Sequence, residues 1–137
     1  PALNQIELHP YNVQQNLVDF CHYKNIAVTA YSPLGRPGAA RPRQNFPQDK
    51  LPLLVEDPTV MKIAEAHGKL PTQILLRWAI QRKTIAIPKS TNPVNIKSNI
   101  DIFGFELSDR EMQSLTNLDR KLRYVRAVKW WKIPYFD

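Results

Sequence analysis

The sequence predicts an α/β protein with a parallel sheet, and two features of the chain carry that prediction. Short apolar segments rich in β-branched residues alternate with segments whose apolar residues recur every three or four positions. Strands that alternate with helices in this way form right-handed crossovers, which place the strands side by side in parallel. The 137 residues suit one domain with a buried core, and no internal repeat or boundary divides residues 1–137.

The first three elements are predicted to be a strand, a helix and a strand. Leu3–Leu8 alternates imperfectly and Pro10 blocks its continuation, which predicts a short strand. Asn16 is placed to cap the helix that follows. The apolar stripe of that helix consists of Leu17, Val18, Phe20 and Cys21. Ile26–Tyr31 is a continuous apolar run with β-branched residues, which predicts a strand buried on both faces.

Prolines and capping side chains mark the later elements. Residues 35–55 are rich in Pro, Arg and Gln without periodicity, which predicts a long loop. Ile85–Pro88 predicts a third short buried strand. Four helices are predicted to begin at Asp57-Pro58, at Pro71, at Asn92-Pro93, and at the capping box of Ser108 with Glu111.

The composition excludes several functional classes. No apolar run approaches the ~18 residues of a membrane span, and no signal peptide is present, so we expect no membrane partner. The single cysteine, Cys21, cannot form an internal disulfide, which favours a reducing, cytoplasmic location. One cysteine and three separated histidines match no zinc-ligand spacing. The chain also lacks the G-x-G-x-x-G motif and the P-loop.

Polar side chains lie at or near the end of each predicted strand. Gln5 and Glu7 lie near the end of the first strand, Tyr31 and Ser32 at the end of the second, and Lys89 and Ser90 directly after the third. The carboxyl ends of parallel strands lie on one side, where α/β proteins bind ligands. Amide, phenol, ammonium and hydroxyl groups at that edge suggest a ligand with anionic and aromatic parts. Alternatively, these residues only solvate the strand ends, and Tyr31 is an ordinary core aromatic.

Lys89 and Ser90 give the sharpest local signal. They leave a predicted strand just before a helix that begins at Asn92-Pro93. Helix N-termini carry unpaired N–H groups and the positive end of the dipole, so this position suits a phosphate. Pro93 has no N–H, so the donors must come from later residues.

Three motifs with a characteristic order and spacing identify a family resemblance. They are Asn4–Tyr11 (NQIELHPY), Ala30–Gly35 (AYSPLG) and Ile87–Ser90 (IPKS). Together they resemble the aldo-keto reductase family, in its aldose and aldehyde reductase branch. The similarity covers almost the whole chain and weakens in residues 36–52 and after residue 123. It implies the C-terminal part of a (β/α)8 TIM barrel: strands six to eight with their helices, two extra helices and a C-terminal loop.

The resemblance also implies an oxidoreductase that reduces aldehydes or ketones to alcohols with NADP(H). It places the nicotinamide ring on Tyr31, its carboxamide on Gln5, and the adenine at Asn99. The full set of cofactor residues implied is Gln5, Tyr31, Ser32, Pro33, Leu34, Gly35, Ile87, Pro88, Lys89, Ser90, Thr91 and Asn99. The variable substrate loop of the family implies contacts of a small carbonyl substrate with Tyr124, Val125 and Trp130.

No catalytic residue is expected in this chain. In the family, the catalytic Asp, Tyr, Lys and His come from the first half of the barrel, and this chain begins at Pro1. The resemblance therefore implies that the N-terminal half of the barrel is a partner of this chain. Alternatively, the chain is a truncated, non-catalytic fragment.

The chain departs from the family pattern where the cofactor phosphates are expected. The usual arginine after IPKS falls at Asn95 and the usual glutamate at Ser98, while Arg36 and Gly38 replace the usual Ser and Asp after SPLG. Losing the guanidinium removes a charged contact of a class worth about 1.5–3 kcal/mol. We therefore expect weaker or less NADP-selective binding than in typical relatives.

A second alternative arises from a basic segment near the C-terminus. Residues 120–132 carry six Lys or Arg side chains and no acid, interleaved with Trp130 and Trp131. Basic charge with stackable aromatics is typical of single-strand nucleic-acid binders. A run of charges is more often a solvated face, and no nucleic-acid-binding fold accompanies this one, so we expect no nucleic-acid partner.

Overall fold

Three parallel strands form one sheet in the described part of the chain. The computed structural model describes residues 1–35 and 51–125. The strands are β1 (Leu3–Glu7), β2 (Ala27–Tyr31) and β3 (Ile85–Ala86), in the order β1-β2-β3. All pairings are parallel, which confirms the predicted sheet.

The described residues also form five α-helices and one 3-10 turn. Their bounds are α1 (Gln15–Tyr23), the 3-10 turn (Leu54–Glu56), α2 (Pro58–His67), α3 (Pro71–Gln81), α4 (Pro93–Ile100) and α5 (Asp109–Thr116). Helix α3 contacts α2, α4 and β3, and its residues from Gln73 to Ala79 are all buried. None of these helices has the length and apolar character of a membrane span.

The predicted caps of the later helices are confirmed. The side chains of Asp57 and Asn92 each accept a hydrogen bond from the backbone N–H two residues on, at 2.8 and 2.9 Å. Ser108 and Glu111 form the reciprocal capping box of α5, in which the Ser108 N–H donates to the Glu111 carboxylate at 2.8 Å. These short side chains satisfy N–H groups that the first helical turn leaves unpaired.

The predicted start of α1 at Asn16 is wrong. The helix begins at Gln15, and its N-cap is Gln14, whose φ of 46° lies in the left-handed region. No side chain caps this helix. The Gln14 amide instead donates to the backbone oxygen of Glu7 at 2.7 Å, so a contact with the strand end replaces the local cap.

Two predictions of burial are also wrong. Phe20 is 54% exposed, although Val18 and Cys21 of the same helix are buried as expected. The third strand is not buried: it has only two residues, and Ile85 and Ile87 are 49% and 45% exposed. Ala86 lies on the side of the sheet that α3 and α4 contact, so the side chains of Ile85 and Ile87 point to the opposite side.

The register of the sheet separates its two faces. Val28 and Ala30 of β2 are fully buried and belong to the core with the helices. Neighbouring residues in a strand point to opposite sides, so Thr29 and Tyr31 face the other way. Gln5 is paired with Thr29, and Thr29 with Ile85, so these side chains share that second face. The helices therefore cover one face of the sheet and leave the second face more open.

Candidate functional site

The second face of the sheet gathers three of the predicted site residues. Glu7 is paired with Tyr31, and Gln5 lies two residues before Glu7, so Gln5 and Tyr31 point to the same side. The Ile87 N–H donates to the Ala30 oxygen at 3.2 Å, which extends the ladder and sets Ile87 opposite Tyr31. Gln5 in β1, Tyr31 in β2 and Ile87 directly after β3 thus face one side of the sheet.

The turn after β2 is tight and packed. Ser32 has a φ of 49° and Gly35 a φ of 67°, and the Gly35 N–H donates to the Ser32 oxygen at 2.8 Å. Pro33 and Leu34 are buried within this turn. A Cβ at Gly35 would lie 2.8 Å from the Tyr124 ring, so glycine is required by contact as well as by backbone angle. The turn therefore has one fixed shape at the end of the strand.

The segment between β3 and α4 carries several polar side chains. Lys89 and Thr91 are exposed, and the Ser90 hydroxyl accepts the Asn92 N–H at 3.1 Å. The Val94 N–H donates to the Asn92 side chain, so a phosphate at this helix end would rely on later N–H groups and on Lys89. The first turn of α4 contains no acidic residue, so no carboxylate of that turn opposes the positive charge of Lys89.

An open groove of about 710 Å³ runs between α3, β3 and α4. Its lining is largely apolar, and three of the predicted cofactor residues, Pro88, Ser90 and Asn99, lie on it. The structure thus brings Pro88 and Ser90 of the IPKS motif next to Asn99 in the last turn of α4. The family pattern has charged residues at positions 95 and 98. In this chain the Ser98 hydroxyl donates a hydrogen bond to the backbone oxygen of Asn95 at 3.0 Å.

Tyr124 is placed differently from the aromatic substrate surface that the resemblance implies. Its side chain is 2% exposed, packs against the ring of His9 at 5.0 Å, and donates its hydroxyl to the Pro52 oxygen at 2.6 Å. Burial raises the pKa of Tyr124 to about 12. Val125 is half-buried beside it, and Trp130, like most of the basic segment, lies outside the described residues.

Glu7 connects this C-terminal segment to β1. Its carboxylate is fully buried and accepts the Tyr124 N–H at 2.5 Å and the Val125 N–H at 3.3 Å. The same carboxylate lies 3.1 Å from Nε2 of His9. The sequence shows Glu7 only as a polar residue at a strand end, because partners 117 positions away leave no local signal.

A second polar cluster was not predicted from the sequence. The Tyr11 hydroxyl donates to Asp57 at 2.7 Å, and Arg120 lies 3.6 Å from the same carboxylate and 4.2 Å from the centre of the Tyr11 ring. Burial, and then the bond to Asp57, raise the pKa of the Tyr11 phenol. Asp57 therefore caps α2 and also joins Tyr11 to Arg120. Its cap signal was visible in the sequence, but its second partner was not.

Two further side chains, His67 and Cys21, have partners within the described residues. His67 joins α2 to α5 through a 2.9 Å contact with Glu111, and Cys21 is a buried free thiol. Within residues 1–35 and 51–125, no cluster of three potential metal ligands occurs. Arg36 and Gly38 fall outside the described ranges.

The chain matches the family model described as "Aldo/keto reductase family" over residues 1–120. It is 47% identical over 125 residues to "Aldo-keto reductase family 1 member A1" of Mus musculus, covering 91% of this chain and 37% of that protein. It is 46% identical over 124 residues to "Probable NAD(P)H-dependent D-xylose reductase xyl1" of Aspergillus clavatus, covering 90% of this chain and 37% of that protein.

A solved structure gives the same result for the fold. The crystal structure of Gox0644 in its apoform superposes with a TM-score of 0.75 at 37% sequence identity, covering 88% of this chain and 39% of that chain. This chain therefore spans little more than a third of the length of the relatives it matches.

Proposed function

The chain belongs to the aldo/keto reductase family, and from that membership we propose that it forms the cofactor-binding part of an NADP(H)-dependent carbonyl reductase. The complete protein reduces aldehydes or ketones to alcohols. The observation that carries the proposal is the shared orientation of Gln5 in β1, Tyr31 in β2 and Ile87 directly after β3. Ligands of α/β proteins bind at this carboxyl edge.

The groups at this edge fit a nicotinamide dinucleotide. Tyr31 offers an aromatic ring for the flat nicotinamide, and the Gln5 amide can both donate to and accept from the carboxamide. The tight turn from Ser32 to Gly35 lies where the pyrophosphate would pass. Lys89, Ser90 and Thr91 face the 2′-phosphate, and Asn99 faces the adenine, in this proposal.

When bound, the nicotinamide supplies the hydride that reduces the carbonyl carbon. The residues of this chain hold and orient the cofactor, so that the reacting atoms meet in a fixed geometry. Tyr11 and Tyr124 do not serve as the proton donor, because their hydroxyls already donate to Asp57 and to the Pro52 oxygen. We assign the proton to a tyrosine outside this chain, as in the family pattern.

The proposal includes the remainder of a (β/α)8 barrel as the partner of this chain. Leu3, Ile85 and Ile87 are each exposed by more than two fifths on the open face of the sheet. Burying such side chains yields about 25 cal/mol per Å² of apolar surface, and parallel sheets are normally covered on both faces. The remaining strands of a barrel would cover this face and close both edges of the sheet.

Titration of the protein at its natural length with NADPH and NADH tests the proposal. We expect NADPH fluorescence to change on binding, and an aldehyde to drive oxidation of the bound cofactor. Lys89→Met should weaken NADPH binding about fivefold, as expected for one exposed charge on a phosphate, and leave NADH binding within twofold. Lys62→Met, which removes an exposed lysine from α2, is the matched control. A protein that binds neither nucleotide would refute the proposal.

A further inference from the structure

We infer that Glu7 is a positioning residue. Its buried carboxylate holds the C-terminal segment, at Tyr124 and Val125, beside Tyr31, and this contact shapes the carbonyl substrate pocket. This inference rests on the proposed function for its substrate part. The anchoring itself depends only on the contacts of Glu7, and the two can be tested separately.

The first step is the set of groups around the carboxylate. Glu7 is fully buried, and a buried carboxylate is costly unless hydrogen bonds replace its water. The Tyr124 N–H donates to Oε1 at 2.5 Å, and the Val125 N–H lies 3.3 Å from Oε2. Two consecutive backbone N–H groups of the C-terminal segment therefore take the place of water at this carboxylate.

His9 completes the arrangement. Its Nε2 lies 3.1 Å from Oε1 of Glu7, while Nδ1 is buried without a hydrogen-bond partner among the described residues. Because a carboxylate oxygen can only accept, the Nε2–H of His9 is the donor in this contact with Glu7. The ring of His9 also packs edge-on against Tyr124, at 5.0 Å between centroids.

The second step is the location of this anchor relative to the cofactor. Glu7 is the register partner of Tyr31, so the two side chains leave adjacent strands on the same side of the sheet. The segment that Glu7 holds is thereby fixed next to the ring proposed to stack on the nicotinamide. A substrate carbonyl must reach the nicotinamide, which in the proposed function stacks on Tyr31, so the walls of the substrate pocket include the segment that Glu7 holds beside Tyr31.

The third step is that Glu7 holds only the residues after Leu122, because other contacts hold the chain before that point. The Leu122 N–H donates to the Tyr11 oxygen at 2.9 Å, and the Val13 N–H donates to Asp119 at 3.2 Å. These contacts secure the chain up to residue 122 without Glu7. Replacing Glu7 should therefore free the backbone N–H groups of Tyr124 and Val125, while the preceding turn stays attached and the Tyr124 hydroxyl keeps its bond to the Pro52 oxygen.

Glu7→Gln tests the inference in the protein at its natural length. Glutamine keeps the shape but replaces one acceptor oxygen with an NH2 group, which opposes the backbone N–H donors. Hydrogen exchange of the Tyr124 and Val125 amides should accelerate at least tenfold, while exchange at Leu122 stays within twofold of wild type. Glu65→Gln, on the exposed side of α2, is the matched control and should change none of these rates.

Enzyme kinetics distinguish a positioning role from a purely structural one, because only a positioning residue should affect bulky and small substrates differently. In Glu7→Gln, KM for a bulky aromatic aldehyde should rise at least fivefold, with kcat for propanal and Kd for NADPH within twofold of wild type. An equal loss for both aldehydes, or unchanged exchange at Tyr124 and Val125, would overturn the inference. If Glu7→Gln does not fold, Glu7→Asp, which keeps the charge, replaces it in both experiments. The amide exchange rates and KM for the bulky aldehyde should then change in the same direction but by less.

The wild-type protein alone also provides a test. The Tyr124 and Val125 amides should exchange slowly, and rapid exchange at both would overturn the anchoring without any variant. If wild type reduces no aldehyde, the proposed function fails, whereas the exchange rates still decide whether Glu7 is the anchor.

Discussion

Gly35→Ala should destabilise the protein far more than Gly68→Ala, although both glycines have the same left-handed backbone. The φ angles are 67° at Gly35 and 59° at Gly68. A Cβ at Gly35 would lie 2.8 and 3.0 Å from two Tyr124 ring atoms and 3.3 Å from the Leu54 Cβ, whereas a Cβ at Gly68 meets nothing within 4 Å. The pair therefore separates the backbone cost from the contact cost.

The magnitude follows from these two terms. An alanine in the left-handed region costs about 1 kcal/mol relative to glycine. The Tyr124 ring cannot easily move away, because its hydroxyl is bonded to the Pro52 oxygen at 2.6 Å and its other side packs on His9. Overpacking of such a site costs about 1–3 kcal/mol. We expect about 2–4 kcal/mol for Gly35→Ala and about 1 kcal/mol for Gly68→Ala.

Urea unfolding of the protein at its natural length measures both values. Tyr124→Leu removes the two ring atoms closest to Gly35, so in that background Gly35→Ala should cost little more than Gly68→Ala does. Equal effects of the two alanine variants in the wild-type background would refute the contact between the turn after β2 and the C-terminal segment. An undiminished effect of Gly35→Ala in the Tyr124→Leu background would refute it as well.

Two further predictions concern α4 and α5. Asn95→Arg should restore a guanidinium beside the proposed 2′-phosphate and tighten NADPH binding about fivefold with NADH unchanged, since an exposed pair is worth about 1 kcal/mol; equal tightening by the neighbouring Val94→Arg would contradict a specific contact. Burial opposes ionisation of Glu111, but hydrogen bonds from Ser108 outweigh it and lower the pKa of Glu111. Its stabilisation is present above pH ~4.5 and lost as pH falls through the lowered pKa, so the difference in Tm between wild type and Glu111→Gln should shrink from pH 6 to pH 3. A pH-independent difference would contradict this.

Local signals in the sequence predicted much of this fold. Asp57, Asn92 and Ser108 each have a capping side chain next to their helix, so these starts were readable from a few residues. The parallel order of the strands followed from their alternation with helices. The start of α1 was predicted wrongly because the side chain of its N-cap residue, Gln14, does not cap the helix and instead donates to the backbone oxygen of Glu7.

The candidate site was predictable only in part. The strand-end positions of Gln5, Tyr31 and Lys89 follow from the strand pattern, and the parallel register brings Gln5 and Tyr31 to one side. The contacts of Glu7 with Tyr124, and of Gly35 with Tyr124, join segments about 90 or more positions apart, which no local pattern encodes. The exposure of β3 depends on what covers the open face, which the strand's own apolar residues do not determine.

The affinity of the natural-length protein for NADPH, with and without the Tyr31 ring, tests the central claim most directly. Stacking of an aromatic side chain on a flat ring is worth about 1–2 kcal/mol, so Tyr31→Ala should weaken NADPH binding about five- to thirtyfold. Tyr23→Ala, which removes a ring that is exposed on α1, should leave the affinity unchanged. Wild-type affinity in Tyr31→Ala would show that the carboxyl edge of this sheet is not where the nicotinamide binds.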